Sequence, residues 1–413
     1  MCVKPRSFYT WIFLVVFGLS GLVACTPPSK NETPLNLSEI TWPQIEERAR
    51  GQTVYWNAWG GDQRINAYIR WVGAEVKEKY DLTLVHVKLN DTSEAVARIL
   101  AEKAAGRTDD GTVDLIWING ENFSDLKANN MLFGPVSGVL PNYQWVDQEQ
   151  PAFIEDFTIA VDGLQVPWGL SILVWLYDSQ SVTKPPQSPD ELLLWASENP
   201  GRFTYPAPPD FVGTSFLKQL LIAFTEQDSL LTLPVSETSK HLADPVFEFL
   251  DQLKPLLWRE GRTLPTNSLA LKQLLADGEV DFSLSFNPAD GISGVLSGQL
   301  AESVKTYTMK TGALSNGHFV AIPQNASAKE GAMVIANFLL SPAAQAKKAD
   351  IEVWGDMSAL DIDNLEPEAQ ALFEKLQQEK RLILPNQFER SLAEPHPSWT
   401  KYLERVWLER YAQ

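Results

Sequence analysis

From Gly51 onward the chain alternates short apolar runs with amphipathic segments, and this alternation constrains the fold more than any other feature. Thr53–Trp59 reads as a strand, and Gly60-Gly61-Asp62 turns the chain. The next segment sets Ile65, Ile69, Val72 and Val76 on one helical stripe. Leu82–Leu89 reads as a second strand, and Asp91 with Glu94 has capping-box spacing before a helix through Val96, Ile99 and Leu100. Val113–Ile118 is a third strand, ended by Asn119-Gly120. Strand and helix in this order predict right-handed βαβ crossovers and a mainly parallel sheet.

Val161–Asp178 is apolar and β-rich, interrupted by Pro167-Trp168-Gly169. Helices are predicted over 189–198, from Gly213-Thr214-Ser215-Phe216, over 245–257 and over 268–276, with a strand over 279–286. Ser327 and Glu330 have capping-box spacing before Met333, Val334, Phe338 and Leu339. From Pro367 the chain reads as mostly helical, with Trp399, Tyr402, Val406 and Trp407 on one face.

The start of the chain has a separate reading. Lys4 and Arg6 precede an apolar run from Trp11, which closes on Leu22-Val23-Ala24-Cys25. A basic start, a short apolar stretch and small residues before a cleavage point make a secretory signal, and the run falls short of the roughly 20 residues of a spanning helix. The ending resembles a lipobox, in which Cys25 becomes the lipidated first residue. An uncleaved anchor helix is the alternative. Residues 26–44 are rich in Pro, Ser, Asn and Thr and read as a tether.

The only other cysteine is Cys2, so a processed chain holds no thiol free to pair and its fold rests on burial alone. A length of 413 residues suggests about two domains. The formal charge of −18 disfavours nucleic acid and anionic lipid headgroups, and mildly favours cationic or neutral ligands over anions. It also serves solubility. Fourteen tryptophans offer faces suited to sugars, rings and cations, although most belong in a core or its rim.

Enzyme motifs are missing: there is no Gly-x-Ser-x-Gly elbow, Walker loop or Gly-x-Gly-x-x-Gly. His86, His241, His318 and His396 are scattered without metal-ligand spacing. Among 52 acidic residues nothing selects one catalytic pair.

Four turns precede helices with small or polar residues: Trp59-Gly60-Gly61-Asp62, Asn119-Gly120-Glu121-Asn122, Gly213-Thr214-Ser215 and Asn287-Pro288-Ala289-Asp290. Open α/β sheets bind ligands beyond the carboxyl ends of their strands, where helix N–H groups are unpaired. Each turn alone also reads as a plain helix cap. Together they suggest a shared cleft. Trp59 and Trp168 could stack on a ring or a cation, or simply pack. Asp62, Asn119, Glu121, Asn122, Thr214, Ser215, Asn287 and Asp290 could meet a solute, or only cap. Ser315, Asn316 and His318 fall near a returning strand, where His318 reads first as structural.

The order of elements resembles the bacterial extracellular solute-binding proteins of ABC importers, in the maltose-binding-like group. His318–Ser327 carries the family's apolar strand ending in Ala-Ile-Pro, and Ala336–Gln345 its Phe-Leu-Leu-Ser-Pro helix. Ala343 stands where the family commonly has Glu. Val54–Gly61, Asp114–Phe123 and Tyr205–Phe211 look like a YnjB-type subgroup.

The resemblance implies a two-lobed type II periplasmic-binding-protein-like α/β fold, with crossing hinge strands and a solute cleft between the lobes. It implies a signal peptide over 1–24, a lipidated tether over 25–50, lobe 1 over 51–168 and 314–347, and lobe 2 over 169–313 and 348–413. The candidate ligand-binding set, read from the turns and strand ends, is Trp59, Gly60, Gly61, Asp62, Asn119, Glu121, Asn122, Trp168, Gly213, Thr214, Ser215, Asn287, Asp290 and Asn316. The resemblance further implies a monomer without cofactor, metal or catalysis, tethered outside the membrane and delivering a small polar or cationic solute to a permease. A thiamine-like cation is one candidate, and sugars, polyamines and oxyanions stay open. A secreted carboxylate-based hydrolase or a glycan- or surface-interaction lipoprotein is the alternative.

Overall fold

The computed structural model describes Met1 and residues 35–225, 228–384, 387–388 and 390–412. The apolar leader and Cys25 lie outside the described residues. Two units divide the chain, Met1–Asn36 and Leu37–Gln413, and the described helices and strands belong to the second.

In chain order α1 (Trp42–Ala49), β1 (Thr53–Trp59), α2 (Gln63–Tyr80), β2 (Thr83–Leu89), α3 (Ser93–Ala104), β3 (Leu115–Ile118) and α4 (Gly120–Ala128) come first. β1 lies parallel to β2 on one side and to β3 on the other. The stripe Ile65, Ile69, Val72 and Val76 is buried along α2, as its spacing demands. Asp62 caps that helix, its carboxylate accepting the N–H groups of Arg64 at 2.7 Å and Ile65 at 3.1 Å. The expected box at Asp91 and Glu94 does not form. Asp91 accepts from the Ser93 N–H at 2.8 Å, and this local turn starts α3 at Ser93.

Next come α5 (Pro151–Ile154), the short hairpin β4 (Glu155–Asp156) and β5 (Ile159–Ala160), then β6 (Gln165–Ile172) and β7 (Val174–Asp178). They lead to α6 (Pro189–Glu198), α7 (Phe211–Phe224), α8 (Asp228–Leu231), α9 (Asp244–Leu253), α10 (Ser268–Ala276), β8 (Phe282–Ser285), α11 (Asp290–Leu296) and β9 (Val304–Tyr307). The chain returns through β10 (Ala313–Ala321), α12 (Lys329–Leu339), α13 (Pro342–Ala349), α14 (Pro367–Gln378), β11 (Ser391–Leu392) and α15 (Pro397–Tyr411).

Two principal sheets result. One runs β11-β10-β3-β1-β2 with β6 on β10, and the other runs β8-β7-β9. The parallel expectation holds for β1, β2 and β3. It fails for the second sheet, where β7 is antiparallel to both neighbours. β7 follows β6 after Leu173 alone, so no crossover helix sets its direction, and antiparallel partners fill in beside it. β6 and β10 run antiparallel along their length, with a register shift between His318 and Phe319. The Leu173 N–H donates to the Leu314 carbonyl at 2.8 Å where the two strands leave one sheet for the other.

Two local expectations need correction. Gly213, Thr214 and Ser215 do not open α7. Asp210 is its cap, accepting from Val212 at 3.0 Å and Gly213 at 3.1 Å, and the helix starts at Phe211. Ser327 caps nothing in α12, because its hydroxyl and N–H both donate to buried Asp114 at 2.9 Å. A buried carboxylate needs donors more urgently than a helix end does, so the tertiary partner prevails.

Candidate functional site

The turn after β1 and the turn after β8 meet. Arg64, in the first turn of α2, sends Nη2 to Asp290 Oδ1 at 2.8 Å, with Asp62 Oδ2 at 3.7 Å. Lys272 reaches the same Asp290 oxygen at 2.5 Å. Asp62 and Asp290 therefore share Arg64, and Asp290 also holds Lys272. Trp59 is half-buried, and the indole folds over Gly61, where a Cβ would lie 2.4 Å from its ring. Asn287 is satisfied by the protein itself: Oδ1 accepts from the Ala289 N–H in its own turn, and Nδ2 donates to the distant Trp354 carbonyl.

A second meeting point lies between the turn after β3 and α7. Lys218 is 1% exposed and bonds Glu394 Oε2 at 2.6 Å. Asn316 Nδ2 donates to the other oxygen of that carboxylate at 2.9 Å. The Lys218 ammonium also faces two aromatic rings, Phe157 at 4.3 Å and Phe211 at 5.5 Å. Phe157 and Thr158 form the two-residue turn between β4 and β5, with φ of 47° and 67°. Such turns ordinarily take Asn and Gly, so two side chains held at positive φ mark stored strain, about 1–3 kcal/mol each. The Phe157 ring rests on Gly120, where a Cβ would come within 2.9 Å of it. This contact explains why glycine follows Asn119.

Carboxylates crowd around this one ammonium. Glu121 is pushed up by burial and by Asp91 and Glu394, and drawn down by its own backbone N–H and by Lys218. Glu404, which accepts the Thr214 hydroxyl at 2.8 Å, is raised to about 7 by burial, with Glu121 and Asp91 adding to it. Burial raises Asp210 to about 6 against three backbone N–H groups, and Asp91 pushes the same way. Asp156 holds Gln165 and the Gly120 N–H, yet burial and the charges of Glu121 and Glu394 raise it to about 7. The cluster is under-supplied with positive charge.

The structure thus brings Glu121, Thr214 and Asn316 into one charge cluster, and Asp62 with Asp290 into another. The Ser215 hydroxyl donates to the Phe211 carbonyl at 2.7 Å. Gly213 lets α7 approach the Pro206 carbonyl, 2.1 Å from where a Cβ would sit. Asn122 donates to Glu121 at 3.3 Å. Sequence reasoning missed Phe157, Asp210, Lys218, Glu394 and Glu404 and gave Asp91 only a capping role. The Asp210-Phe211 pair had an N-cap signal. Lys218 and Glu394 are far apart in sequence and had none.

Trp168 is fully buried in a ring cluster, 4.9 Å from Trp117 and 5.4 Å from both Trp56 and Trp354. Packing accounts for all of its faces. Beside it His318 Nε2 meets Asp356 Oδ2 at 2.8 Å, and His318 Nδ1 meets the Ser171 hydroxyl at 3.0 Å. Lys348, fully buried, bonds the same Asp356 oxygen. Serine, histidine and aspartate in series suggest a nucleophile relay, but all three are buried and the aspartate is shared with Lys348. His318 is structural here. Burial alone would push the Asp356 carboxyl up, and the charges and bonds of His318 and Lys348 overcome it and hold it low. Among the described residues no three His, Cys, Asp or Glu side chains are grouped to hold a metal ion.

The sequence profile of the bacterial extracellular solute-binding protein family matches residues 71–361. The chain belongs to that family. Protein YnjB of Escherichia coli (strain K12) is 44% identical over 371 residues, 90% of this chain and 94% of its own. Solved structures share the fold at low identity. A putative spermidine/putrescine ABC transporter protein from Listeria monocytogenes aligns with TM-score 0.58 at 16% identity, over 86% of this chain and 98% of its own. The periplasmic binding protein AfuA from Actinobacillus pleuropneumoniae, solved with fructose-6-phosphate, aligns at 0.61 and 13%, over 88% and 99%. A periplasmic thiamin binding protein aligns at 0.59 and 17%, over 87% and 95%. This solute-binding protein therefore has the two-lobed type II fold, with two sheets joined by crossing strands. Names as different as these show that the fold does not set the solute.

Proposed function

We propose that this solute-binding protein captures a small organic cation between its lobes and presents it to an ABC permease. The lobes of the reading are 51–168 with 314–347, and 169–313 with 348–413. The observation that carries it is the charge imbalance at the β3–α7 meeting point. Glu121, Glu394 and Glu404 gather around the single ammonium of Lys218, and Glu121 and Glu404 are pushed up. A cation entering there restores the ionised forms that burial and mutual repulsion disfavour. Phe157 and Phe211 supply ring faces of the kind an ammonium or thiazolium prefers. A thiamine-like or polyamine cargo fits this chemistry better than an oxyanion or a sugar phosphate.

Under the same reading, Asp62, Arg64 and Asp290 close one end of the cleft, and solute bridging both lobes shifts the population toward the closed form. Cys25, once lipidated, tethers the protein outside the membrane; the tether expected over 25–50 is shorter, because Trp42–Ala49 forms α1 and buries Ile45 and Ala49. Among the described residues no helix is long and apolar enough to cross a membrane.

A thermal-shift panel of thiamine, polyamines, sugars and oxyanions tests the reading. A hundredfold excess over Kd adds about 2.7 kcal/mol of stability. Stabilisation by a cation, lost in Glu121→Gln, is the expected result. Stabilisation by an oxyanion or a sugar alone would overturn it.

A further inference from the structure

Away from the β3–α7 cluster, a groove of about 500 Å³ opens between β6, the strap 357–363, α14 and residues 382–384. Three backbone bonds fix its frame. The Leu170 N–H donates to the Met357 carbonyl at 3.3 Å, Asp147 to Ala359 at 3.0 Å and Asp361 to Trp145 at 2.9 Å. Its floor is apolar and buried: Phe153, Leu170, Met357, Leu360 and Phe373. Four carboxylates, Asp147, Asp361, Asp363 and Glu374, are among the side chains that line the rest. Asp147 accepts the Glu149 N–H at 3.0 Å and Asp361 the Asn364 amide at 2.5 Å. Among the described residues none of the four forms a salt bridge with a Lys, Arg or His, whereas carboxylates elsewhere on the surface commonly do. Among the described residues no basic side chain lines the groove.

We infer that this groove is a second binding site, for an organic monocation with an apolar body. Size, floor and charge each contribute. The volume lies within the roughly 300–1,000 Å³ of small-molecule sites. The floor removes an apolar body from water, and four acidic groups without a cation complement a single positive charge and repel anions. The site does not depend on the cleft reading, because it shares no residue with the cluster around Lys218.

Phenethylammonium is the probe, with 2-phenylethanol as its uncharged counterpart, both titrated into the full chain by calorimetry. Phenethylammonium should bind saturably, at least fivefold tighter than 2-phenylethanol. The double variant Asp363→Asn, Glu374→Gln, which touches only groove-lining carboxylates, should weaken it at least fivefold. Glu121→Gln should leave it unchanged. Equal binding of the two probes, unchanged affinity in the double variant, or no saturation up to on the order of 10 mM would overturn the site. Loss of binding in Glu121→Gln with retention in the double variant would instead place the cation in the cleft and remove the groove.

Discussion

Two regions bury charge at the junctions of this protein, and they do so in opposite ways. At the crossing strands Asp356 faces His318 and Lys348, so one carboxylate has two basic partners. At the β3–α7 meeting point several carboxylates share Lys218. In the first region the charges of the partners win over burial and hold the carboxyl low; in the second, burial and like charge push carboxyls toward neutrality. A balanced cluster has all it needs for the fold. An unbalanced one has a deficit that a ligand can fill.

The largest effect that can break this contrast is Asp356→Ala. It strands Lys348 among Trp168 and Trp354, with ring centroids 5.8 and 5.6 Å from its ammonium. An unpaired buried charge costs about 3–5 kcal/mol, which urea unfolding would read as a large loss of midpoint. A loss below 1 kcal/mol, order of magnitude, would mean the network is not structural.

In the other region Glu121→Gln should cost solute affinity rather than stability. The expectation is a loss of about 2–3 kcal/mol in binding, roughly 30- to 150-fold, with an unchanged or higher melting temperature. Reduced stability together with unchanged affinity would reverse the assignment.

Close packing gives a third, smaller effect. A Cβ on Gly169 would sit 2.0 Å from His318 Nε2 and 2.2 Å from Asp356 Oδ2. Gly169→Ala should therefore destabilise by about 1–3 kcal/mol, while Gly106→Ala, which meets nothing, loses only what its positive φ costs.

pH sharpens the comparison further. Asp156, Asp210 and Glu404 titrate above the ordinary carboxylate value when folded. Their contribution to stability is fully present below that ordinary value and is lost as pH rises through about 6–7. Asp356 works the other way, since its low folded value contributes stability that is lost on acidification. The ligand-free melting temperature should rise from pH 8 to pH 5.5, roughly, and Glu404→Gln should flatten that rise. Affinity for a cation should fall over the same interval, by at most about tenfold per pH unit for each carboxyl that must ionise. The smallest effect belongs to Arg64→Ala. The part-exposed pair with Asp290 is worth up to about 1 kcal/mol, read as a slightly larger radius of gyration without solute.

Much of the fold was legible because it is local. The stripe on α2, the runs that became β1 and β2, and α6 and α10 follow from periodicity and caps. The turns after β1, β3 and β8 could be named as candidates because glycine and polar residues sit there in sequence. The capping boxes at Asp91 and Ser327 were misread because their side chains found other partners, a local turn in one case and Asp114 in the other. Trp168 read equally as a stacking platform or a packing residue, and the structure encloses it with rings from distant segments.

By itself the sequence determined the alternation of strand and helix, the acidity of the chain and the small residues at the strand ends, since backbone sterics and periodicity act over a few residues. Only the tertiary structure decided which carboxylates lack a partner. Lys218 meets Glu394, 176 residues away, and Asp356 meets His318, 38 residues away. Whether a buried charge is balanced depends on what stands within a few ångströms of it in space, because the cost of burial and the strength of pairing both vary with that environment.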